Sequence, residues 1–286
     1  MERQGRQGIV RMLLLQQGLG DAGSQDVDGK TPLHCAAEIG DGDVLRMLLA
    51  ANEEVDAAEQ KDHDGATALH KASSAGPEEA VQLFLAHGVA IPTSKCDRYP
   101  PLHRAASNGH HQVVLLLLEN GVDVREQEAE DFYPATMRAA SAGHDEVVRV
   151  LLDHAANVEA WSDIDFWGRS SLHEAARNGH SKVIDLLLQR GADIDGQDNG
   201  GSTALLIAAE QGHVAATRHL LEKGADTELQ RDVWNEGPMH CAVGRGSLDI
   251  VQLLLDHGAR TDIQGLSLLH NARTQDMIQL LSGRKH

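Results

Sequence analysis

One ten-residue segment, first seen as TPLHCAAEIG at 31–40, recurs along almost the whole of this 286-residue chain. Its eight copies, some close and some weak, start at Thr31, Thr67, Pro100, Pro134, Ser170, Thr203, Gly237 and Ser267. The starts are separated by 36, 33, 34, 36, 33, 34 and 30 residues. A period in this range is typical of repeat proteins, in which one short unit cannot bury its apolar face without its neighbours. The sequence therefore predicts a stack of similar units.

A second amphipathic segment follows most copies at a fixed distance, as in GHDEVVRVLLDHAANV at 143–158. Its apolar residues have helical spacing, and a Gly, Ala or Asn at its end fits the left-handed position that closes many helices. Turn sequences of the form D-x-x-G precede many copies, with the acids at Asp26, Asp62, Asp165, Asp198 and Asp262. The second helices are expected to share a buried apolar row through Val114, Leu117, Val148, Leu151, Ile184, Leu187, Leu220 and Leu254.

These phased copies resemble the ankyrin repeat, and the resemblance covers residues 26–286. It implies an all-α ankyrin-repeat solenoid of about eight stacked helix–turn–helix units with projecting β-hairpin fingers. Residues 1–25 include GIVRMLLLQQG, which matches a second helix without its first, so this segment is expected to form an N-terminal capping helix. The last unit lacks the Ala–Ala pair and is expected to be a C-terminal cap. The family usually binds proteins in a concave groove between the fingers and the first helices.

The charge balance limits the partners that this chain can take. It has 43 acidic residues against 25 Lys and Arg, a net charge of −18. Nucleic acids and anionic membranes are therefore excluded, and a basic or cationic protein partner is favoured. Three scattered cysteines indicate a reducing compartment, the cytoplasm or as a second choice the nucleus. The apolar block near the N-terminus is too short to span a bilayer and lacks a secretory cleavage pattern, and we expect a monomer.

Seventeen histidines raise the question of metal binding or catalysis, but the repeat explains most of them. The fourth position of T-P-L-H, which in the ankyrin family links adjacent units by hydrogen bonds, is filled by His34, His70, His103, His173, His240 and His270. Cys35 and Cys241 follow two of these at the same phase, so their adjacency to His does not indicate a nucleophile. No Cys/His cluster has zinc spacing, and GLGDAG at 18–23 precedes no helix of its own. The sequence predicts no enzyme, no metal and no cofactor.

The scarce aromatic residues break the repeat pattern. Of eight, Phe84 alone lies in a second helix, and the other seven precede first helices of units three, four, five and seven, in or beside the predicted fingers. Rings and arginines on one exposed side are typical binding anchors, although long fingers could also pack on one another. The finger before unit five is also predicted to be lengthened. The predicted partner-binding residues are Tyr99, Arg104, Asp131, Phe132, Tyr133, Arg138, Trp161, Asp163, Asp165, Phe166, Trp167, Arg169, Glu174, Arg177, Trp234 and Glu236.

Two functions follow from these patterns. The first is a non-catalytic binding module or scaffold that holds a partner protein in the groove formed by fingers and first helices. The second is a small-molecule-binding or acid/base enzyme site built from aromatic and carboxylate residues of the fingers around residues 130–170, where paired acids could protonate a substrate. An open trough favours the first function, and an enclosed pocket with two converging carboxylates favours the second.

Overall fold

A computed structural model of the chain describes residues 23–51, 56–92, 100–125, 133–161, 167–231, 236–261 and 274–282. Residues 8–18, which carry the predicted N-terminal capping helix, and the first helix of repeat eight lie outside these ranges. The chain divides into two compact units: unit one contains repeats one to three together with residues 153–155, and unit two contains the rest of repeats four to eight.

The described repeats consist of helix pairs, as the sequence predicts. The first helices of repeats one to seven are Pro32–Ile39, Ala68–Ala75, Pro101–Ser107, Ala135–Ala142, Ser171–Arg177, Ala204–Gln211 and Pro238–Arg245. The second helices of repeats one to eight are Gly42–Ala51, Glu78–Ala86, His111–Glu119, Asp145–Asp153, Ser181–Gln189, Val214–Glu222, Leu248–Asp256 and Gln275–Ser282. A four-residue helix, Asp56–Glu59, lies between repeats one and two.

The core lies between neighbouring repeats. In both units first helices pack on first helices, and second helices pack on second helices. All eight residues of the predicted apolar row are fully buried, and so is Phe84. Leu, Val and Ala make up most of the remaining core. Because this core lies between repeats, each repeat buries its apolar surface against the repeat beside it.

Two histidines of the T-P-L-H segments, His34 and His173, stabilise first helices and link repeats. In repeat five, Nδ1 of His173 accepts a hydrogen bond from the backbone N–H of Ser170 at 3.1 Å. Its Nε2 donates to the carbonyl oxygens of Gly196 and Ser202 in the next finger, at 3.0 and 3.1 Å. His34 makes the equivalent link to the carbonyl oxygen of Ala66 at 2.9 Å. Burial lowers the pKa of His173, although Asp198 opposes the shift, so the ring serves as a neutral structural bridge.

The glycine that ends many first helices receives a side chain from the next repeat. Gly179 has φ 75°, and a Cβ added there would lie 2.8 Å from Cγ of His213, so both the backbone and the contact require glycine. Nε2 of His213 donates to the carbonyl oxygen of Arg177 at 2.9 Å. Equivalent pairs are Gly40 with Pro77, Gly76 with His110, Gly143 with His180 and Gly212 with Arg245.

Ala155 follows the second helix of repeat four with φ 67°, in a conformation where other described repeats use glycine, such as Gly191. Left-handed backbone costs a residue with a Cβ roughly 1–2 kcal/mol. Glycine also raises the conformational entropy of the unfolded chain, which lowers the free energy of unfolding by about 0.4–1 kcal/mol. Ala155→Gly is therefore expected to raise the free energy of unfolding by about 0.5–1 kcal/mol, measured by urea denaturation.

The neighbouring substitution Ala156→Gly is the matched control for Ala155→Gly. Ala156 is buried and does not have a positive φ, so glycine there removes a packed methyl group and adds unfolded-chain entropy without relieving strain. Ala156→Gly should lower the stability. Equal losses from the two substitutions would show that the conformation of Ala155 carries no strain.

Candidate partner-binding face

The finger of repeat five is longer than that of repeat six, as the spacing predicts. An antiparallel bridge joins Trp161 to Ser170, which leaves residues 162–169 between them. The equivalent bridge in repeat six joins Gln197 to Thr203 and leaves only 198–202. A third bridge joins Arg231 to Glu236 in repeat seven. The described bases of these fingers are therefore paired backbone segments that hold their side chains in fixed places.

The structure describes nine of the sixteen residues predicted to bind a partner. They are Arg104 in unit one and Tyr133, Arg138, Trp161, Trp167, Arg169, Glu174, Arg177 and Glu236 in unit two. The other seven lie outside the described residues, and they are Tyr99, Asp131, Phe132, Asp163, Asp165, Phe166 and Trp234. The site can thus be built only in unit two. We call one side of unit two the finger face. It carries the bases of the fingers and the fifth and eighth residues of the T-P-L-H segments, such as Glu174 and Arg177 in the segment that starts at Ser170.

Trp167 is a fixed but accessible ring. Half of the residue, 50%, is exposed, and Trp161 at the other base of the same finger is 54% exposed. The backbone N–H of Asn199 donates to the carbonyl oxygen of Trp167 at 2.7 Å. The indole lies against Gly200, where an added Cβ would be 3.0 Å from Cζ3 of the ring. The guanidinium carbon of Arg169 lies 5.5 Å from the ring centroid, within cation–π range.

Arg169 joins this ring to a buried pair of carboxylates. Its Nη1 lies 3.8 Å from Oε1 of Glu174, and its Nε lies 3.6 Å from Oδ2 of Asp198. Oδ1 of Asp198 accepts hydrogen bonds from the backbone N–H groups of Gly200 and Ser202 at 2.9 and 2.8 Å. The same aspartate therefore shapes the finger of repeat six and forms an ion pair, longer than a hydrogen bond, with the arginine beside Trp167.

The fifth residue of the T-P-L-H segment explains why Arg169 is needed. In repeat two the equivalent finger acid, Asp62, pairs with Lys71 of its own repeat at 2.7 Å. Repeat six has the apolar Ile207 at the position of Lys71. Asp198 therefore takes its cation from the preceding repeat. This exchange ties the finger of repeat five to that of repeat six.

Tyr133 forms a second stack of a ring on an arginine. The guanidinium carbon of Arg138, in the first helix of repeat four, lies 5.5 Å from the centroid of the Tyr133 ring. Ser141, three residues further along this helix, donates a hydrogen bond to Oε2 of Glu174 at 3.2 Å. Repeats four and five are thus connected on the finger face through Glu174.

A second arginine-centred network in repeats six and seven was not predicted from the sequence. Nη2 of Arg231 donates to Oε1 of Glu210 and to Oε2 of Glu236, both at 2.9 Å. It also lies 3.5 Å from Sγ of Cys241. Burial raises the pKa of this thiol to about 12, with Arg231 opposing the shift, so Cys241 stays protonated at neutral pH and is a poor nucleophile.

The described acids of the predicted site are both members of ion pairs. Glu174 and Glu236 are the only predicted site acids that the structure describes, and each is ion-paired with an arginine. Within the described ranges no group of three His, Cys, Asp or Glu residues could hold a metal ion. Among the described residues, no helix is long and apolar enough to cross a membrane. The second function considered above therefore gains no support from this site.

The chain is similar to proteins that contain ankyrin repeats, both in sequence and in structure. The family model for ankyrin repeats (3 copies) matches the overlapping segments 3–95, 53–128, 102–198, 136–231, 172–265 and 205–285. A solved structure, the crystal structure of the human ASB11 ankyrin repeat domain, is similar with a TM-score of 0.66 and 27% identity. That similarity covers 77% of this chain and 99% of the other.

Two curated relatives match shorter segments. Ankyrin repeat and SOCS box protein 5 from Oryctolagus cuniculus is 30% identical over 113 residues, 38% of this chain and 34% of the relative. B-cell lymphoma 3 protein homolog from Mus musculus is 29% identical over 126 residues, 42% of this chain and 28% of the relative. The matched regions thus span about a third or less of these relatives, so the similarity concerns their repeats.

Proposed function

Because this chain belongs to the ankyrin-repeat family, we propose that it is a non-catalytic binding module that holds a partner protein on the finger face of unit two. Ankyrin repeats are generally protein–protein interaction modules. In this chain the finger face carries two half-exposed tryptophans, and the guanidinium of Arg169 lies over the ring of Trp167. Aromatic and arginine side chains of this kind are enriched at interface positions that contribute most to affinity.

The accessible indole of Trp167 is the observation that carries this proposal. A ring that only filled the core would be buried, yet half of this residue faces solvent. Its contacts with Gly200 and Arg169 hold the ring in place before a partner arrives. A preformed anchor loses little conformational entropy on binding, which favours affinity.

Trp167→Ala is expected to weaken partner binding by at least ~2 kcal/mol, roughly thirtyfold, because a central Trp anchor loses its whole buried surface. Proteins captured from a lysate by the wild type should be compared with those captured by this variant, and the dissociation constant of the best candidate then measured with purified components. The variant should keep its helical circular dichroism and melting temperature.

Ile278→Ala is the matched control, since Ile278 is also exposed but lies on the second helix of repeat eight. It should capture the same proteins as the wild type. If Trp167→Ala binds as well as Ile278→Ala, or unfolds the protein, the ring is a packing residue and the proposal fails.

The net charge of −18 supports a partner with a basic surface. Long-range attraction between opposite charges raises association rates and is screened by salt, with a Debye length of about 8 Å at physiological ionic strength. The association rate of the partner should therefore fall as salt rises from ~50 mM to ~150 mM. A rate that does not change with salt would contradict a basic partner, and affinity for duplex DNA at ~150 mM salt would overturn the class of partner.

We also propose a cytoplasmic location and a monomeric state. The two cysteines that the structure describes, Cys35 and Cys241, are free thiols. Thiols of this kind fit a reducing compartment. Size-exclusion chromatography with light scattering would test the monomer.

A further inference from the structure

The ion pairs around Arg169 form a first network, in which the carboxylates are buried and one guanidinium is exposed. The side chains of Glu174 and Asp198 are 4% and 1% exposed, whereas that of Arg177 is 50% exposed. Nη1 of Arg177 lies 3.9 Å from Oε1 of Glu174, too far for a hydrogen bond, and that buried oxygen accepts no hydrogen bond. The guanidinium is therefore attracted to this place but not fixed by the carboxylate. A partner meets N–H donors here.

The network in repeats six and seven has the opposite arrangement. The side chain of its cation, Arg231, is 20% exposed, while those of Glu210 and Glu236 are 40% and 36% exposed. Arg231 donates to one oxygen of each carboxylate through a single nitrogen, so other lone pairs of both acids remain for another donor. A partner therefore meets acceptors here. The first network has two arginines and two carboxylates and exposes a guanidinium, whereas the second has one arginine and two carboxylates and exposes the carboxylates.

Arg177 and Glu210 occupy the same repeat position. Arg177 is the eighth residue of the segment that starts at Ser170, and Glu210 is the eighth residue of the segment that starts at Thr203. Their helices, Ser171–Arg177 and Ala204–Gln211, pack directly on each other. Packed helices lie about 8–10 Å apart. The positive and negative ends of the face are therefore one repeat apart, with Trp167 and Arg169 on the positive side.

We propose that the finger face of unit two binds an extended segment of a partner protein that carries an acidic residue opposite Arg177 and a basic residue opposite Glu210 and Glu236. An extended chain rises about 3.3 Å per residue, so the two charges would be about three residues apart. An apolar side chain beside the acidic residue packs on Trp167. This inference rests on the proposed function, since it specifies the chemistry of the partner held there.

A phage-displayed library of random twelve-residue peptides, selected on the immobilised full chain, tests this pattern without a known partner. Enriched peptides should combine an acidic residue, a neighbouring apolar residue and a basic residue about three positions away. A synthetic copy of one enriched peptide should bind Arg177→Glu at least about tenfold more weakly, measured by fluorescence anisotropy. Exchanging its acidic residue for Lys should restore binding to Arg177→Glu.

A second charge reversal tests the negative end and guards against misfolding of the first variant. Glu210→Arg should weaken the same peptide, and exchanging the basic residue of the peptide for Glu should restore it. Each variant is checked by circular dichroism, and Arg177→Ala and Glu210→Gln serve as milder versions. Restoration by a compensating peptide cannot come from an unfolded variant.

The outcomes separate this inference from the proposed function. Enriched peptides that lose binding to Trp167→Ala but show no paired charges would overturn the two-signed face and leave the Trp167 anchor intact. Peptides that show the charge pattern but bind Trp167→Ala as well as the wild type would overturn the anchor instead. If no peptides are enriched on the wild type, the extended-segment inference fails, and the comparison of proteins captured by the wild type and by Trp167→Ala still decides the proposed function.

Discussion

Replacing Leu187 by Ala is expected to lower the free energy of unfolding by about 2–5 kcal/mol, the usual range for a core leucine. The side chain is fully buried in the second helix of repeat five. That helix packs on the first helix of its own repeat and on the second helix of repeat six, so the cavity opens in the core that these helices share. Since each repeat depends on its neighbours, little relaxation is available to close the cavity.

Leu188→Ala is the matched control for Leu187→Ala. Leu188 follows directly in the same helix but is only partly buried. It removes the same atoms from a position that faces solvent in part, so its loss should be clearly smaller. Urea denaturation would measure both losses, provided that the substitutions leave the m-value unchanged. A loss below about 0.5 kcal/mol at Leu187 would mean that the helix presents another face to the core.

Replacing Arg169 by Ala is expected to destabilise unit two by about 3–5 kcal/mol, because it removes the cation that lies between two buried carboxylates. Glu174 and Asp198 would lose the cation that lies between them, and Arg177 is too exposed to replace it fully. The indole of Trp167 would also lose its cation–π partner, so its intrinsic fluorescence should change. Thermal and urea denaturation would measure the loss.

Arg177→Ala controls for the loss of an arginine from the same network. Its guanidinium is half exposed and its ion pair is long, so the stability should change by less than about 1 kcal/mol. The double variant Arg169→Ala with Glu174→Gln should recover part of the loss, since one buried charge is removed with its partner. If Arg169→Ala and Arg177→Ala prove equally mild, the carboxylates are not dependent on Arg169.

The fold could be predicted because its evidence is repeated along the chain. The phase of the T-P-L-H copies fixes the positions of His173 and Leu187 within repeat five. An error of register in one repeat would conflict with the register of the others. The ankyrin-repeat fold and the burial of the apolar row are confirmed. The left-handed conformation at Ala155 was also expected, since the helix-closing position is occupied by glycine elsewhere.

The candidate site could be predicted only in part, because pairing between side chains does not recur with the repeat. The clustering of the scarce aromatic residues before first helices pointed to Trp161 and Trp167, and both are exposed. Nothing in the sequence indicated that Asp198 would pair with an arginine of the preceding repeat. The absence of a cation at Ile207, where repeat two has Lys71, is the signal that could have indicated it.

The glycine that ends a first helix meets a side chain of the following repeat, and this pairing affects how such a chain can change in length. Gly179 receives His213, and Gly212 receives Arg245. Excision of residues 180–212 would join Gly179 to His213 and present Arg245 to Gly179 instead. The recess at the glycine accepts proline, imidazole and guanidinium groups in this one chain. Recombination in frame could therefore add or remove a single repeat without a compensating substitution at the junction.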